Sequence, residues 1–125
     1  IEAHFNKSKN ITFNCSIAHR KYSTYGNSLI GTTHGDGAKQ VNLGSLMSIE
    51  AKEHWAHSEY RYFYTHHVHH KSSKDYINVS VETLRSPSPS DSWHDTKGFK
   101  HNFCAVEAFL HSKEHGQVAR ITHLY

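Results

Sequence analysis

The sequence predicts a strand-rich domain that combines α-helix with β-sheet, an α/β or α+β fold. Short stretches rich in β-branched and aromatic residues recur along the chain, and turn-forming residues separate them. Only one stretch, from residue 43 to about residue 57, carries apolar residues at helical spacing. No segment repeats, and 125 residues suffice for one domain or part of one but not for two. We therefore expect sheet to dominate.

The strands can be placed in order along the chain. Residues 77–82 alternate apolar with polar side chains, so this strand should have one buried and one wetter face. A hairpin turn at residues 113–116 should join the last two strands. The predicted strands cover residues 11–14, 20–25, 28–33, 60–65, 77–82, 103–111 and 118–124.

The helix should begin after Asn42, a suitable N-cap. Its apolar face recurs every fourth residue and consists of Leu43, Met47, Ala51 and Trp55. Residues 71–75 are expected to form a solvated loop, and two prolines exclude regular structure from residues 86–90. A single helical turn capped by Asp91 could follow.

Composition restricts the class of protein. No apolar run approaches the ~20 residues that a membrane-spanning helix needs, and no signal peptide is recognisable. The net charge of +3 is spread along the chain, which permits a nucleic-acid partner without arguing for one. Cys15 and Cys104 lack the spacing of a metal or redox motif, so we expect reduced, buried thiols and a cytoplasmic location.

The chain's most chemically distinctive segment is 60–70, where four histidines follow an aromatic strand. On an extended backbone His67 and His69 would share one face, and His66 and His70 the other. Neutral imidazoles at a strand end can bind zinc, iron, nickel or copper. Two ligands from one strand are too few for a metal site, so others must come from elsewhere. Alternatively, a chain with 14 histidines clusters some by chance.

A second polar motif, His34-Gly35-Asp36-Gly37, follows the predicted strand 28–33. Polar side chains at a strand end, beside glycines that allow close backbone approach, are typical of a binding site. An ordinary Asp-Gly turn is the alternative.

The two motifs together resemble the C-terminal half of calcineurin-like metallophosphoesterases, most closely those of bacteriophages and prophages. Thr33-His34-Gly35-Asp36 is similar to the family's late metal-binding histidine motif, and Thr65-His66-His67-Val68-His69-His70 to its closing Gly-His-x-His motif. Residues 25–31, 90–94 and 105–109 also resemble the phage subgroup.

The resemblance implies half of a β-sandwich flanked by helices, with a two-metal centre. His34 and His67 would bind one ion and His69 the other. Positions implied as supporting the metal ligands or lining a substrate groove are Asp36, His66, His70, Asp91 and His94. Asp36 could orient His34 through a hydrogen bond, and a capping or packing role is the alternative for His94.

The activity implied by the resemblance is hydrolysis of a phosphoester by water activated between two divalent ions of manganese, iron or zinc. Nucleic acid is one candidate substrate. The implied location is the cytoplasm of a bacterium or of a phage-infected host cell.

The sequence departs from the family pattern in two respects. His66 stands where the family has glycine, and the early Asp-x-His, Gly-Asp and Gly-Asn-His-Asp motifs are not found. We therefore expect residues 1–125 to be the C-terminal portion of a single domain, binding one metal ion or none. Its partner would be the missing N-terminal half or a second copy of the chain.

Two further hypotheses remain open. An HUH-type endonuclease would use His67-Val68-His69 on a strand and a tyrosine on a following helix, although Tyr76 falls in a predicted strand. A non-catalytic, histidine-rich metal-binding or association domain would instead use uncovered sheet edges.

Overall fold

The computed structural model describes residues 2–88 and 103–125 and is an α+β fold rich in strands. The helices are α1 (Glu2–Phe5), α2 (Leu43–Glu50) and α3 (Lys52–His57), and a 3₁₀ turn (Gln40–Asn42) precedes α2. The strands are β1 (Arg20–Tyr25), β2 (Ser28–Thr33), β3 (Tyr60–Thr65), β4 (Ser72–Tyr76), β5 (Val79–Thr83), β6 (Ala105–Ser112) and β7 (Gly116–Leu124).

Five strands form a mixed sheet in the order β1-β2-β3-β5-β4. The central neighbours β2, β3 and β5 are parallel, and both edge strands pair antiparallel through hairpins. Strands β6 and β7 form a separate two-stranded hairpin. The carboxyl ends of β2, β3 and β5 therefore lie at one edge of the sheet, which is where polar side chains from separate chain segments can meet.

The apolar core lies between the sheet and helices α2 and α3. Leu43, Met47 and Ala51 are buried and Trp55 packs beside them, which confirms the predicted helical face. They meet sheet residues that include Phe63. The predicted helix is interrupted at Ala51, where φ is −120° and ψ is 39°.

The predicted N-cap differs from the structure. The side chain of Asn42 makes no capping hydrogen bond, because the residue closes the 3₁₀ turn that leads into α2.

The opposite face of the sheet is covered by the β6–β7 hairpin through polar and aromatic contacts. The Tyr64 hydroxyl donates to Oε1 of Gln117 at 2.8 Å, and the Gln117 amide donates to the Tyr62 hydroxyl at 2.8 Å. Arg120 forms an ion pair with Glu82, which is only 6% exposed. The wetter face predicted for residues 77–82 is therefore buried at Glu82, because the hairpin covers it.

Three other expectations from the sequence are wrong. Residues 11–14 contain no strand. Ser72–Tyr76 is an edge strand and not a loop, because it pairs with β5 along its whole length. The thiol of Cys15 is exposed, whereas we expected it to be buried.

The predicted strands at residues 20–25, 28–33, 60–65, 103–111 and 118–124 are confirmed to within a few residues at each end. The predicted turn at Asp91 falls outside the described residues. None of the helices in residues 2–88 and 103–125 has the length and apolar content needed to cross a membrane.

Candidate metal-binding site

His34 and His67 are brought together by parallel strand pairing. Strand β2 ends at Thr33 and its neighbour β3 ends at Thr65, with the two strands running in the same direction. His34 follows the first strand directly and His67 follows the second after one residue. Residues 33 positions apart therefore meet at the carboxyl edge of the sheet.

The backbone fixes this meeting point. The carbonyl oxygen of His34 accepts hydrogen bonds from the amides of both His66, at 3.0 Å, and His67, at 2.8 Å. One carbonyl thus holds the start of the histidine segment against the end of β2. The positions of the two α-carbons do not depend on any contact between the imidazoles.

Gly35 allows the chain to turn directly after His34. Its φ is +105°, a region that L side chains rarely occupy. A Cβ there would lie 3.2 Å from Cβ of Thr65 and 3.5 Å from Cβ of His67. The sharp backbone bend that a glycine permits is therefore present here, and it lets the His34 turn lie close to Thr65 and His67.

The imidazoles of His34 and His67 face each other. Nδ1 of His67 lies 3.2 Å from Nε2 of His34, and the ring centroids are 5.0 Å apart at an interplanar angle of 72°. Both residues are exposed to solvent. One nitrogen carries the proton of this hydrogen bond, and both nitrogens could bind one ion only in tautomers that leave each of them a lone pair.

The donor pair fits a metal ion by distance. Two nitrogens each about 2.0–2.1 Å from one ion would be separated by about 2.9 Å at a right angle and about 3.4 Å at a tetrahedral angle. The observed 3.2 Å between the His34 and His67 nitrogens lies within this interval.

A buried polar layer lies beneath the pair, and it was not predicted. The hydroxyls of Thr65 and Thr83 are 3.1 Å apart, and Nε2 of Gln40 donates to the Thr83 hydroxyl at 2.6 Å. Thr65 is 3% exposed and Thr83 is fully buried. A threonine at the carboxyl end of each of two adjacent strands was the available signal, and it was not recognised.

His66 and His69 also belong to this cluster. Burial lowers the pKa of His66, and nearby His34 and His69 lower it further by charge repulsion. The neutral form is thereby favoured, and only the neutral form can bind a metal.

The predicted alternation of the four histidines is wrong. Strand β3 ends at Thr65, and His69 has a φ of +53°, so the segment turns and does not continue as a strand. Within this turn the His69 amide donates to the His66 carbonyl at 2.9 Å, and Nδ1 of His70 donates to the Val68 carbonyl at 3.1 Å. The implied HUH arrangement loses its premise, because Val68 is not on a strand.

The remaining predicted positions are Asp36, Asp91 and His94. Asp36 is exposed, and the ring of His34 forms its hydrogen bond with His67 and not with this carboxylate. Asp91 and His94 lie outside the described residues.

Across residues 2–88 and 103–125, no group of three histidine, cysteine, aspartate or glutamate side chains is arranged to hold a metal ion. The described part of the chain thus brings two imidazoles, His34 and His67, into direct contact at this edge. No known family model, curated protein sequence or solved structure matches this chain.

Proposed function

We propose that this chain supplies the histidine portion of a metal-dependent phosphoester-hydrolysing site, as its resemblance to metallophosphoesterases implies. The observation that carries the proposal is the 3.2 Å approach of the His34 and His67 nitrogens at the carboxyl edge of parallel strands. Ligand sites in open α/β sheets typically occupy this edge.

A bound divalent ion would supply Lewis acidity and an activated water for attack on phosphorus. His34 and His67 would hold that ion, and His69 is the proposed ligand of a second one. Manganese, iron and zinc all accept imidazole ligands. Carboxylates that complete and balance the site would come from an N-terminal half of the domain.

The chain's own residues would position the ligands in three ways. The His34 carbonyl holds the backbone of the histidine segment, and Gly35 leaves room for that segment to approach. The Thr65 and Thr83 hydroxyls support the strand ends from below. Each contact fixes a main-chain position, so the site should be largely formed before any ion binds.

Metal titration of the purified chain tests the proposal. Calorimetry with Zn²⁺ should show binding that weakens at least tenfold in His34→Ala and in His67→Ala, since removal of either residue leaves a single ligand. His115→Ala is the matched control, because its imidazole is exposed on the β6–β7 turn. Equal Zn²⁺ affinity in all four proteins would overturn the assignment of these ligands.

The catalytic part of the proposal needs a separate assay. Hydrolysis of bis-p-nitrophenyl phosphate by the complete protein, with its N-terminal half and Mn²⁺, should depend on both His34 and His67 and be unchanged by His115→Ala. Hydrolysis that persists at the wild-type rate in His34→Ala would show that the activity arises elsewhere.

A non-catalytic metal-binding or association module is the second candidate function. It is favoured by the limit of two imidazoles in the described residues, and by the apolar outer face of the hairpin. That face includes Val106, Leu110 and Ile121, which are 45%, 61% and 70% exposed. Zn²⁺ binding that requires His34 and His67, without phosphodiester hydrolysis by the complete protein, would favour this function.

A further inference from the structure

We infer that the free edge of β1 pairs with β1 of a second copy of this chain, joining two five-stranded sheets into one continuous ten-stranded sheet. Strand β1 is terminal in the sheet, so its outward backbone groups belong to no strand ladder among the described residues. Such an edge is a template for strand addition.

The connection to β2 determines which groups point outward. Tyr25 and Ser28 close a two-residue turn in which Gly26 has a φ of +54°, as a type II′ hairpin requires. The closing pair is hydrogen-bonded, and the bonded positions then alternate along an antiparallel ladder. The amides and carbonyls of Arg20, Tyr22 and Thr24 therefore face away from β2.

One antiparallel register uses all of these groups. When Tyr22 lies opposite the partner's Tyr22, Arg20 lies opposite the partner's Thr24 on both sides of the two-fold axis. Three outward residues per chain then form six intermolecular hydrogen bonds. A shift of the register in either direction loses two of them, because the outer residues no longer face each other.

Charge also favours this register. The basic residues at the start of β1 lie opposite small hydroxyl side chains, with Lys21 opposite the partner's Ser23 and Arg20 opposite the partner's Thr24. Ser23 and Thr24 are exposed. Shifting the strands so that Arg20 pairs with Tyr22 would place the two Lys21 side chains directly opposite each other, which is unfavourable.

The other edge strand, β4, is less suited to pairing with a second copy of itself. In β4, Tyr76 and Val79 close a two-residue turn, so Ser73 and Asp75 provide the outward groups. Self-pairing that bonds Ser73 to Asp75 of a partner would place Lys74 directly opposite its own copy. Like charges at that position are destabilising, so β1 is the self-complementary edge of the two.

Charge variants at Ser23 provide a matched test. Ser23→Lys would place two like-charged pairs across the two-fold axis, and Ser23→Glu two opposite-charged pairs with Lys21. Each should change the dimer dissociation constant by roughly tenfold, in opposite directions, because each cross-strand pair occurs twice. Sedimentation equilibrium over a concentration series measures the constant, and circular dichroism checks that both variants fold.

A charge-swapped variant supplies the control. Lys21→Glu combined with Ser23→Lys should restore the dimer that Ser23→Lys weakens. A chain that remains monomeric up to its solubility limit would overturn the inference. The inference would also be overturned by a dimer whose dissociation constant is unchanged in the Ser23 variants but which dissociates in Ile121→Lys. That result would place the interface on the outer face of the hairpin.

Strand pairing at β1 and metal binding by His34 and His67 are physically separate. Loss of Zn²⁺ binding in His34→Ala should leave the dimer dissociation constant unchanged, so either idea can fail without the other.

Discussion

Replacement of Gly35 by alanine should both destabilise the protein and impair metal binding. The φ of +105° costs a side-chain-bearing residue about 1–3 kcal/mol. The new methyl group would also lie 3.2 Å from Cβ of Thr65, a buried residue whose hydroxyl lies 3.1 Å from that of Thr83. Relief of this contact must shift either the His34 turn or the end of β3.

Gly37→Ala is the matched control in the same loop. A Cβ at Gly37 meets no atom within 4 Å. Both substitutions reduce the conformational entropy of the unfolded chain to the same extent, so the difference in their free energies of unfolding isolates the strain at Gly35. Urea denaturation followed by tryptophan fluorescence should give a difference of about 1–3 kcal/mol.

The same two variants should differ in Zn²⁺ affinity. Gly35→Ala should bind more weakly, because displacement of His34 changes the 3.2 Å separation between its Nε2 and Nδ1 of His67. Gly37→Ala should bind like the wild type. The reasoning fails if the two variants unfold at the same urea concentration, since the backbone at Gly35 would then carry no strain.

Two further substitutions test the core and the hairpin. Met47→Ala should lower the free energy of unfolding by about 2–5 kcal/mol in urea, because Met47 is fully buried; Ile49→Ala on the same helix, at a residue that is 71% exposed, should change it by less than about 0.5 kcal/mol. Burial lowers the pKa of His111 below its ordinary 6.5, so the unfolded chain takes up that proton first and stability should decline as pH falls through 6.5. Thermal unfolding from pH 8 to 5 should show a smaller decline in His111→Gln than in the wild type or in His115→Gln; equal slopes in the three proteins would contradict a lowered pKa for His111.

The central strands and the helix could be predicted because local pattern and final structure agree there. Residues 60–65 are aromatic and β-branched, and they form β3 with the predicted bounds. The four-residue spacing from Leu43 to Trp55 also corresponds to the face that packs on the sheet. In both segments the pattern reflects burial against a neighbouring layer.

Strand β4 and the polar contacts between the sheet and the β6–β7 hairpin could not be predicted in this way. Ser72–Tyr76 has little intrinsic preference for extended structure and becomes a strand through pairing with β5. Glu82 alternates with valines as a solvent-facing residue would, yet the hairpin from the far end of the chain buries it against Arg120. Local sequence does not show which distant segment will cover a face.

The geometry of the four histidines and His34 also could not be read from local pattern. The meeting of His34 and His67 requires strands β2 and β3 to be parallel neighbours, which was not predicted; only the family resemblance implied that the two residues share an ion. The alternation predicted for residues 66–70 failed because it assumed that β3 continued beyond Thr65. The position at which β3 ends determines the geometry of this segment, and strand ends are the feature that sequence periodicity predicts least accurately.

The parallel pairing of β2 with β3 also affects the order of folding. The β6–β7 hairpin joins neighbouring residues and can form within about 1–10 μs. The histidine pair can form only after β2 and β3 have paired, which closes the connection through α2 and α3 into a loop. This closure costs conformational entropy before any favourable contact between the strands is made. Zn²⁺ capture by His34 and His67 should therefore report the completion of folding and occur after secondary structure has appeared.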